Sequence, residues 1–223
     1  LAGIFRQSGY EGTFILKPKE KEASVDWIRQ EVAFYNDTIK LAGTLSLPDT
    51  SRQYPAVVLL SGSGQQTRDE NVMGFKIFKQ LEEYFISRDL AVLRYDDRGA
   101  GKSDQGNVSE ATSRDLADDA LAAYSFLKDN PHIYANRIGM MGHSEGSILA
   151  NMAARKANVA FVVMMAGPVM PGHELLVEQG RAIMEAEGQS REIMESNLET
   201  NKTIYQEVMK ENTEHQKIEN LLR

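Results

Sequence analysis

The segment Arg137-Ile138-Gly139-Met140-Met141-Gly142-His143-Ser144-Glu145-Gly146 places a Gly-x-Ser-x-Gly pattern directly after an apolar run and before a helical one. A serine hydroxyl becomes a useful nucleophile when it is held clear of the backbone, and a tight strand-to-helix turn would project Ser144 in that way. Gly142 and Gly146 lack a Cβ where strand and helix would crowd each other. The chemistry this suits is acyl transfer. Ser144 would attack a carbonyl carbon, and the Glu145 amide, at the start of the next helix, would face the oxyanion that develops. His143 is expected to pack or hydrogen-bond within the bend rather than act as a base, because neighbouring side chains on such a turn point apart.

A second segment, Ser61-Gly62-Ser63-Gly64-Gln65-Gln66-Thr67-Arg68-Asp69-Glu70, follows another apolar run. Loops at the carboxyl ends of adjacent strands converge in an open α/β sheet, so an amide from Ser63 or Gly64 could join that of Glu145 around the oxyanion. A dinucleotide fingerprint is disfavoured, because Thr67 stands where the third glycine belongs. Arg68 could bind a substrate carboxylate, but a salt bridge with Asp69 or Glu70 is the default expectation. In a third segment, Arg94 to Ser103, Gly101-Lys102-Ser103 imitates the end of a phosphate loop, yet Asp96 occupies the required leading glycine. Asp97 and Arg98 are expected to pair or hydrogen-bond and so fix this loop beneath the site. His132, His143, His173 and His215 form no metal-ligand spacing, so neither metal nor cofactor is expected.

The elements that must position these residues are legible as patterns. Ala56–Leu60, Leu90–Leu93, Ile138–Met141 and Phe161–Met165 are short continuous apolar runs, as in strands buried on both faces. Phe78, Leu81 and Phe85 share one helical face, as do Leu116, Ala120, Ala123 and Leu127. Thr112 with Asp115 resembles a capping box and Asn130-Pro131 forbids continuation, which predicts a helix over 113–129. Glu31–Tyr35 and Ile39–Leu47 alternate around Asn36-Asp37, which predicts a hairpin. Strand and helix then alternate. The predicted class is α/β: a mostly parallel sheet with helices on both faces and right-handed crossovers. Beyond Pro171 only helical spacing recurs, with 11 acidic and 6 basic side chains in residues 171–223. That segment reads either as solvated amphipathic helices or as a mobile lid whose Met and Leu side chains line an acyl pocket.

Composition narrows the partners. The 223 residues carry a net charge of -7, with no basic run to attract a phosphate backbone, so nucleic acid is not an expected partner. No apolar stretch approaches the roughly 20 residues of a membrane span, and no membrane partner is expected. The absence of Cys removes disulfides and thiol nucleophiles but leaves the compartment open. Leu1 in place of Met suggests an internal start, and Lys17-Pro18-Lys19-Glu20-Lys21-Glu22 reads as a linker after a β-like stretch from Gly12 to Leu16. The expected organisation is 1–24 as the tail of an upstream β domain with its linker, 25–170 as the α/β core and 171–223 as a helical cap.

Taken in order, Ser61-Gly62-Ser63-Gly64-Gln65 with Arg68-Asp69-Glu70, Arg94-Tyr95-Asp96-Asp97-Arg98-Gly99 with Gly101 and Ser103, and Gly142-His143-Ser144-Glu145-Gly146 resemble the α/β-hydrolase superfamily. The likeness spans about residues 31–170. It looks most like bacterial serine esterases and hydrolases of the prolyl-oligopeptidase-like and dienelactone-hydrolase-like branches. The resemblance implies Ser144 as nucleophile, the amides of Glu145 and Ser63 as oxyanion hole, and residues 171–223 as a cap after the sixth strand. Gly62, Gly64, Arg68, Asp97 and Arg98 then support the loops or touch substrate.

In such enzymes the acid and the histidine follow the nucleophile on loops after two further strands, and no such strands are read here. The expectation is therefore a serine hydrolase fragment for a small-molecule acyl substrate, inactive for want of acid and base. The alternatives are a peptidase or aminoacyl hydrolase of the same fold, or a non-catalytic binding module. The Phe161–Met165 strand would be left as an open apolar edge, expected to drive self-association.

Overall fold

A computed structural model describes residues 2–7, 10–15 and 27–210. The predicted linker at Lys17–Glu22, together with His215, lies outside the described residues. In chain order the elements are β1 (Ala2–Gln7), β2 (Tyr10–Ile15), β3 (Ile28–Asn36), β4 (Ile39–Leu47), β5 (Tyr54–Leu60), β6 (Asn71–Val72), β7 (Phe75–Lys76) and α1 (Ile77–Ile86). They continue as β8 (Ala91–Tyr95), α2 (Ser113–Lys128), β9 (Ile133–His143), α3 (Glu145–Ala154), β10 (Val162–Met165), α4 (Gly172–Ala186) and α5 (Arg191–Val208). β1 and β2 form an antiparallel hairpin of their own.

The main sheet has six strands in the order β10-β9-β5-β8-β4-β3. The predicted hairpin is present as β3 and β4, in register from Ile28 opposite Leu47 to Asn36 opposite Ile39. β4 also pairs antiparallel with β8, whereas β8, β5, β9 and β10 run parallel. From β5 the chain crosses through α1 to β8 on one side. It then crosses through α2 to β9 on the other. The order therefore reverses about β5, and the loops that leave β5 and β9 open side by side at the strands' carboxyl ends, where α/β sheets bind ligands.

Alternation along β5 divides the core into two layers. Ala56, Val58 and Leu60 face Ala117, Ala120 and Leu127 of α2 and Leu149 and Ala150 of α3. Val57 and Leu59 face Phe78 and Ile86 of α1. Helices thus cover both faces. α2 begins where predicted, with the Thr112 N–H donating to the Asp115 carboxylate at 2.8 Å. β6 and β7 were not legible in the sequence. They are two residues each around Met73 (φ 51) and Gly74 (φ 88), a two-residue turn with both centres in the left-handed region, too short for any periodicity to register.

The two sheet edges differ in kind. β3 sets Arg29, Gln30 and Glu31 on its exposed positions, the kind of charged edge that resists pairing with another chain. Among the described residues β10 pairs only with β9, and Val163 and Met164 remain 39% and 42% exposed. This short edge is apolar and uncharged. The chain is accordingly expected to self-associate in a concentration-dependent way through β10, and Val163→Lys is expected to reduce this. Light scattering after size exclusion checks it: a wild-type mass that stays monomeric at high concentration contradicts the expectation.

Candidate functional site

Ser144 sits between the end of β9 and the first turn of α3 with φ 51 and ψ -118, a left-handed backbone on a non-glycine residue. Three hydrogen bonds hold it there. The Ser144 N–H donates to Met165 O at 2.9 Å, the Ser147 N–H donates to Ser144 O at 3.0 Å, and the Ser147 hydroxyl donates to Gly142 O at 2.7 Å. The bend can be this tight because two side chains are missing. A Cβ on Gly142 would overlap the Gly146 carbonyl, and one on Gly146 would overlap the Leu60 carbonyl of β5. Ser144 is half-buried, and the Glu145 N–H, first in α3, has no intrahelical acceptor.

The loop after β5 reaches this bend. A Cβ placed on Gly62 would lie 3.4 Å from Ser144 Cβ and 3.4 Å from His143 Nδ1. The Gly62 N–H donates to Glu70 Oε1 at 2.7 Å, and the same oxygen lies 2.7 Å from His143 Nδ1. His143 is thus a hydrogen-bonding residue of the bend, as expected from the sequence. Ser63 and Gly64 follow as exposed residues, Gly64 with φ 92. The Ser61 hydroxyl donates to both oxygens of Asp97, at 2.8 and 2.7 Å, and the Gln66 N–H donates to Asp97 Oδ2 at 3.0 Å.

Two pairings expected from sequence adjacency are corrected. Arg68 does not pair with Asp69 or Glu70. Its Nε and Nη2 donate to Asp96 at 3.0 and 2.8 Å, and its Nη1 to Glu31 at 2.9 Å and Thr44 at 2.7 Å. With its fork committed, Arg68 braces the loop and leaves no free face for a substrate carboxylate. Asp69 instead accepts from Arg94 and Lys76. Nor do Asp97 and Arg98 pair with each other. Arg98, in the turn that follows β8, donates instead to Asp119 on α2 at 2.7 and 2.6 Å. Asp97 is bonded to Ser61 and Gln66 of the β5 loop, and Arg98 to α2.

A cavity of about 450 Å³ opens between this loop and α2, next to the bend. Gly62, Gly64, Gln65 and Glu145 line it on the Ser144 side; Asp97, Arg98 and Asp119 line it together with Tyr95, Leu116 and Leu149. Burial pushes the Asp97 carboxyl up to about 7 despite the Ser61 and Gln66 hydrogen bonds, with Asp119 and Glu70 adding repulsion. Burial also acts against ionised Asp96, but Arg68 and the Lys102 amide hold that carboxyl below the ordinary range. Sequence reasoning missed Asp119 and the part played by Glu70. Asp119 had a signal, a carboxylate on the apolar stripe of α2. Glu70 had none, since its partners lie 8 and 73 residues away.

His132 precedes β9, at the opposite end of that strand from Ser144, and His173 lies on α4 with Nε2 3.8 Å from Glu174. Among the described residues no imidazole hydrogen-bonds to the Ser144 hydroxyl, and no cluster of three or more His, Asp or Glu side chains is arranged to hold a metal ion. No described helix is long and apolar enough to cross a membrane.

Comparison with known proteins agrees with this geometry. Residues 73–220 match the family of serine aminopeptidases, S33. Over 140 residues the chain is 34% identical to esterase EstD of Thermotoga maritima, which covers 62% of this chain and 33% of that protein. The chain thus spans about a third of that relative's length. Among solved structures, the α/β hydrolase GrgF from a Penicillium species superposes with a TM-score of 0.56 at 22% identity, covering 72% of this chain and 53% of that one. Est1E from Butyrivibrio proteoclasticus, solved with ferulic acid bound, gives 0.54 at 22% identity over 68% and 56% of the two chains. A dienelactone hydrolase from Anabaena variabilis gives 0.51 at 22% identity over 63% and 64%. A bent serine at the switch point of this sheet, with the matching family and shared architecture, gives the identity: the chain belongs to the serine aminopeptidase S33 family of α/β hydrolases.

Proposed function

We propose that this chain carries the nucleophile and oxyanion hole of a serine hydrolase acting on carboxylic esters or related acyl bonds. The observation that carries the reading is the left-handed Ser144, half-buried at the start of α3 and next to a glycine-rich loop. In this reading Ser144 Oγ forms a bond to the carbonyl carbon as its proton passes to a base. The Glu145 and Ser63 amides take the oxyanion, and collapse expels the alcohol with a proton and leaves an acyl-enzyme that water resolves. The cavity on the α2 side receives the acyl group. That the family comprises serine aminopeptidases supports a second reading, attack on an aminoacyl bond with the same parts.

No base bonded to Ser144 is found among the described residues, so the chain alone is proposed to acylate slowly and to turn over poorly. A fluorophosphonate is expected to modify Ser144 and to leave Ser144→Ala unmodified, as mapped by mass spectrometry. Modification of both proteins, or of neither, contradicts the nucleophile and favours a binding module.

Asp97 gives the cavity a pH dependence. Unfolded, its carboxyl ionises near pH 4, whereas folded it keeps its proton to about pH 7. Between these values the unfolded state has lost a proton that the folded state retains, so this group's contribution to stability falls as pH rises. Asp97→Asn is expected to match wild type below pH 4, gain progressively through that window, and level off above pH 7. The plateau is about 4 kcal/mol for a shift of about three pH units. Denaturant unfolding at a series of pH values measures the difference, and a constant offset contradicts it.

A further inference from the structure

Glu70 is almost completely buried at 1% exposure, yet the proposed chemistry gives it no part. Its Oε1 lies 2.7 Å from two nitrogens that belong to different halves of the site, the Gly62 amide and His143 Nδ1. Its Oε2 is buried with no hydrogen-bond partner, and its backbone has φ 45, an unusual state for a residue with a side chain. The backbone is held on both sides: the Glu70 N–H donates to Thr67 O at 2.9 Å, and Glu70 O accepts from the Ile77 N–H at 3.3 Å. A buried carboxylate with one unsatisfied oxygen on a left-handed backbone is an expensive way to fill space. Core packing alone would be served by an apolar side chain, so the arrangement is explained by the geometry it imposes.

We infer that Glu70 is a positioning residue that locks the loop bearing Ser63 to the bend bearing Ser144, by accepting the Gly62 amide and the His143 ring N–H on one oxygen. The inference rests on the reading of Ser144 as nucleophile and Ser63 as oxyanion donor. An oxyanion donor must stand about 2.7–3.1 Å from where the charge develops. Ser63 and Gly64 are exposed, so packing does not fix them. The Gly62 N–H is the fixed donor immediately before Ser63, and the Glu70 contact sets the direction in which the Ser63 amide leaves it. The other contact fixes the ring that precedes the nucleophile. An ionised carboxylate only accepts, so the bridge as inferred requires the His143 tautomer that carries its proton on Nδ1. Loop and bend then move as one unit, although they come from different strands.

The test uses the whole chain labelled with ¹⁵N, as wild type, Glu70→Gln, Glu70→Ala and a site-remote control, Ile133→Val, at the opposite end of β9. Two quantities are read: the second-order rate of fluorophosphonate modification at Ser144, and the ¹⁵N resonances of the Ser63 amide and the His143 ring. Glu70→Gln keeps an acceptor at the Oε1 position and is expected to hold the rate within about fivefold. Glu70→Ala is expected to lower it about 100-fold, the scale of losing one oxyanion donor, and to move both resonances together. Ile133→Val is expected to lower the melting temperature and move neither.

Wild-type reactivity with unmoved resonances in folded Glu70→Ala overturns the inference, as does an equal loss of rate in the control. Should the alanine protein fail to fold, His143→Leu removes one arm alone. The Ser63 resonance then shifts if the bridge couples the two halves and stays in place if it does not. Absence of modification in every protein, wild type included, sinks the Ser144 reading instead, while the resonances still decide whether the bridge exists.

Discussion

Everything at the site depends on backbone being allowed to touch backbone. The loops after β5 and β9 converge because the chain at Gly146 passes against the Leu60 carbonyl, and the bend closes because Gly142 passes against the Gly146 carbonyl. A single methyl group at either position would drive α3 away from the sheet. The approach leaves Ser144 in a left-handed conformation, a strain on the order of 1–3 kcal/mol that persists only where neighbours over-determine it. Here they do, through the Ser144 N–H on Met165 O and the Ser147 hydroxyl on Gly142 O.

Beneath that contact lies a belt of charged pairs that fixes the loops' height above the sheet. Arg68 with Asp96, Arg98 with Asp119, and Arg94 with Glu82 are all nearly or fully buried. Such pairs add little net stability over apolar packing. Removing one partner leaves an uncompensated buried charge, at a cost of about 3–5 kcal/mol. Their value here is directional. Asp96, Asp97 and Arg98 are consecutive, yet they reach Arg68, Ser61 and Asp119, so one short stretch after β8 is tied to the β5 loop twice and to α2 once.

The sequence was readable where a local pattern and a global requirement coincide. The runs of β5, β8 and β9 are apolar because both faces are covered, whereas the apolar run of β10 leaves Val163 and Met164 exposed, and the Gly-x-Ser-x-Gly bend is visible because steric demand leaves only glycine at two places. Partner choice among charged residues was not readable. Arg68 had acidic neighbours at 69 and 70, but the carboxylates it reaches are 28 and 37 residues away, brought close by β3, β4 and β8 lying side by side. Adjacency is a poor guide for a charged side chain in a loop, where neighbours from other strands and helices supply its partners. The Glu70 bridge joins residues from two loops, and nothing in either loop's composition announces the other.

One strand has two tasks that pull against each other. β10 supplies the Met165 carbonyl that holds the Ser144 N–H, so the bend is only as rigid as β10 is well seated. Yet β10 is the shortest strand of the main sheet, pairs with β9 alone among the described residues, and exposes Val163 and Met164. Elements with few neighbours and exposed backbone open locally at lower free energy than the core. Each opening of β10 releases the N–H of Ser144 and with it one of the bonds that offset the left-handed strain. Covering the outer edge of β10, by whatever segment or chain pairs with it, therefore acts on the proposed nucleophile Ser144 through one hydrogen bond, and the edge of the sheet and the conformation of that serine are a single mechanical problem.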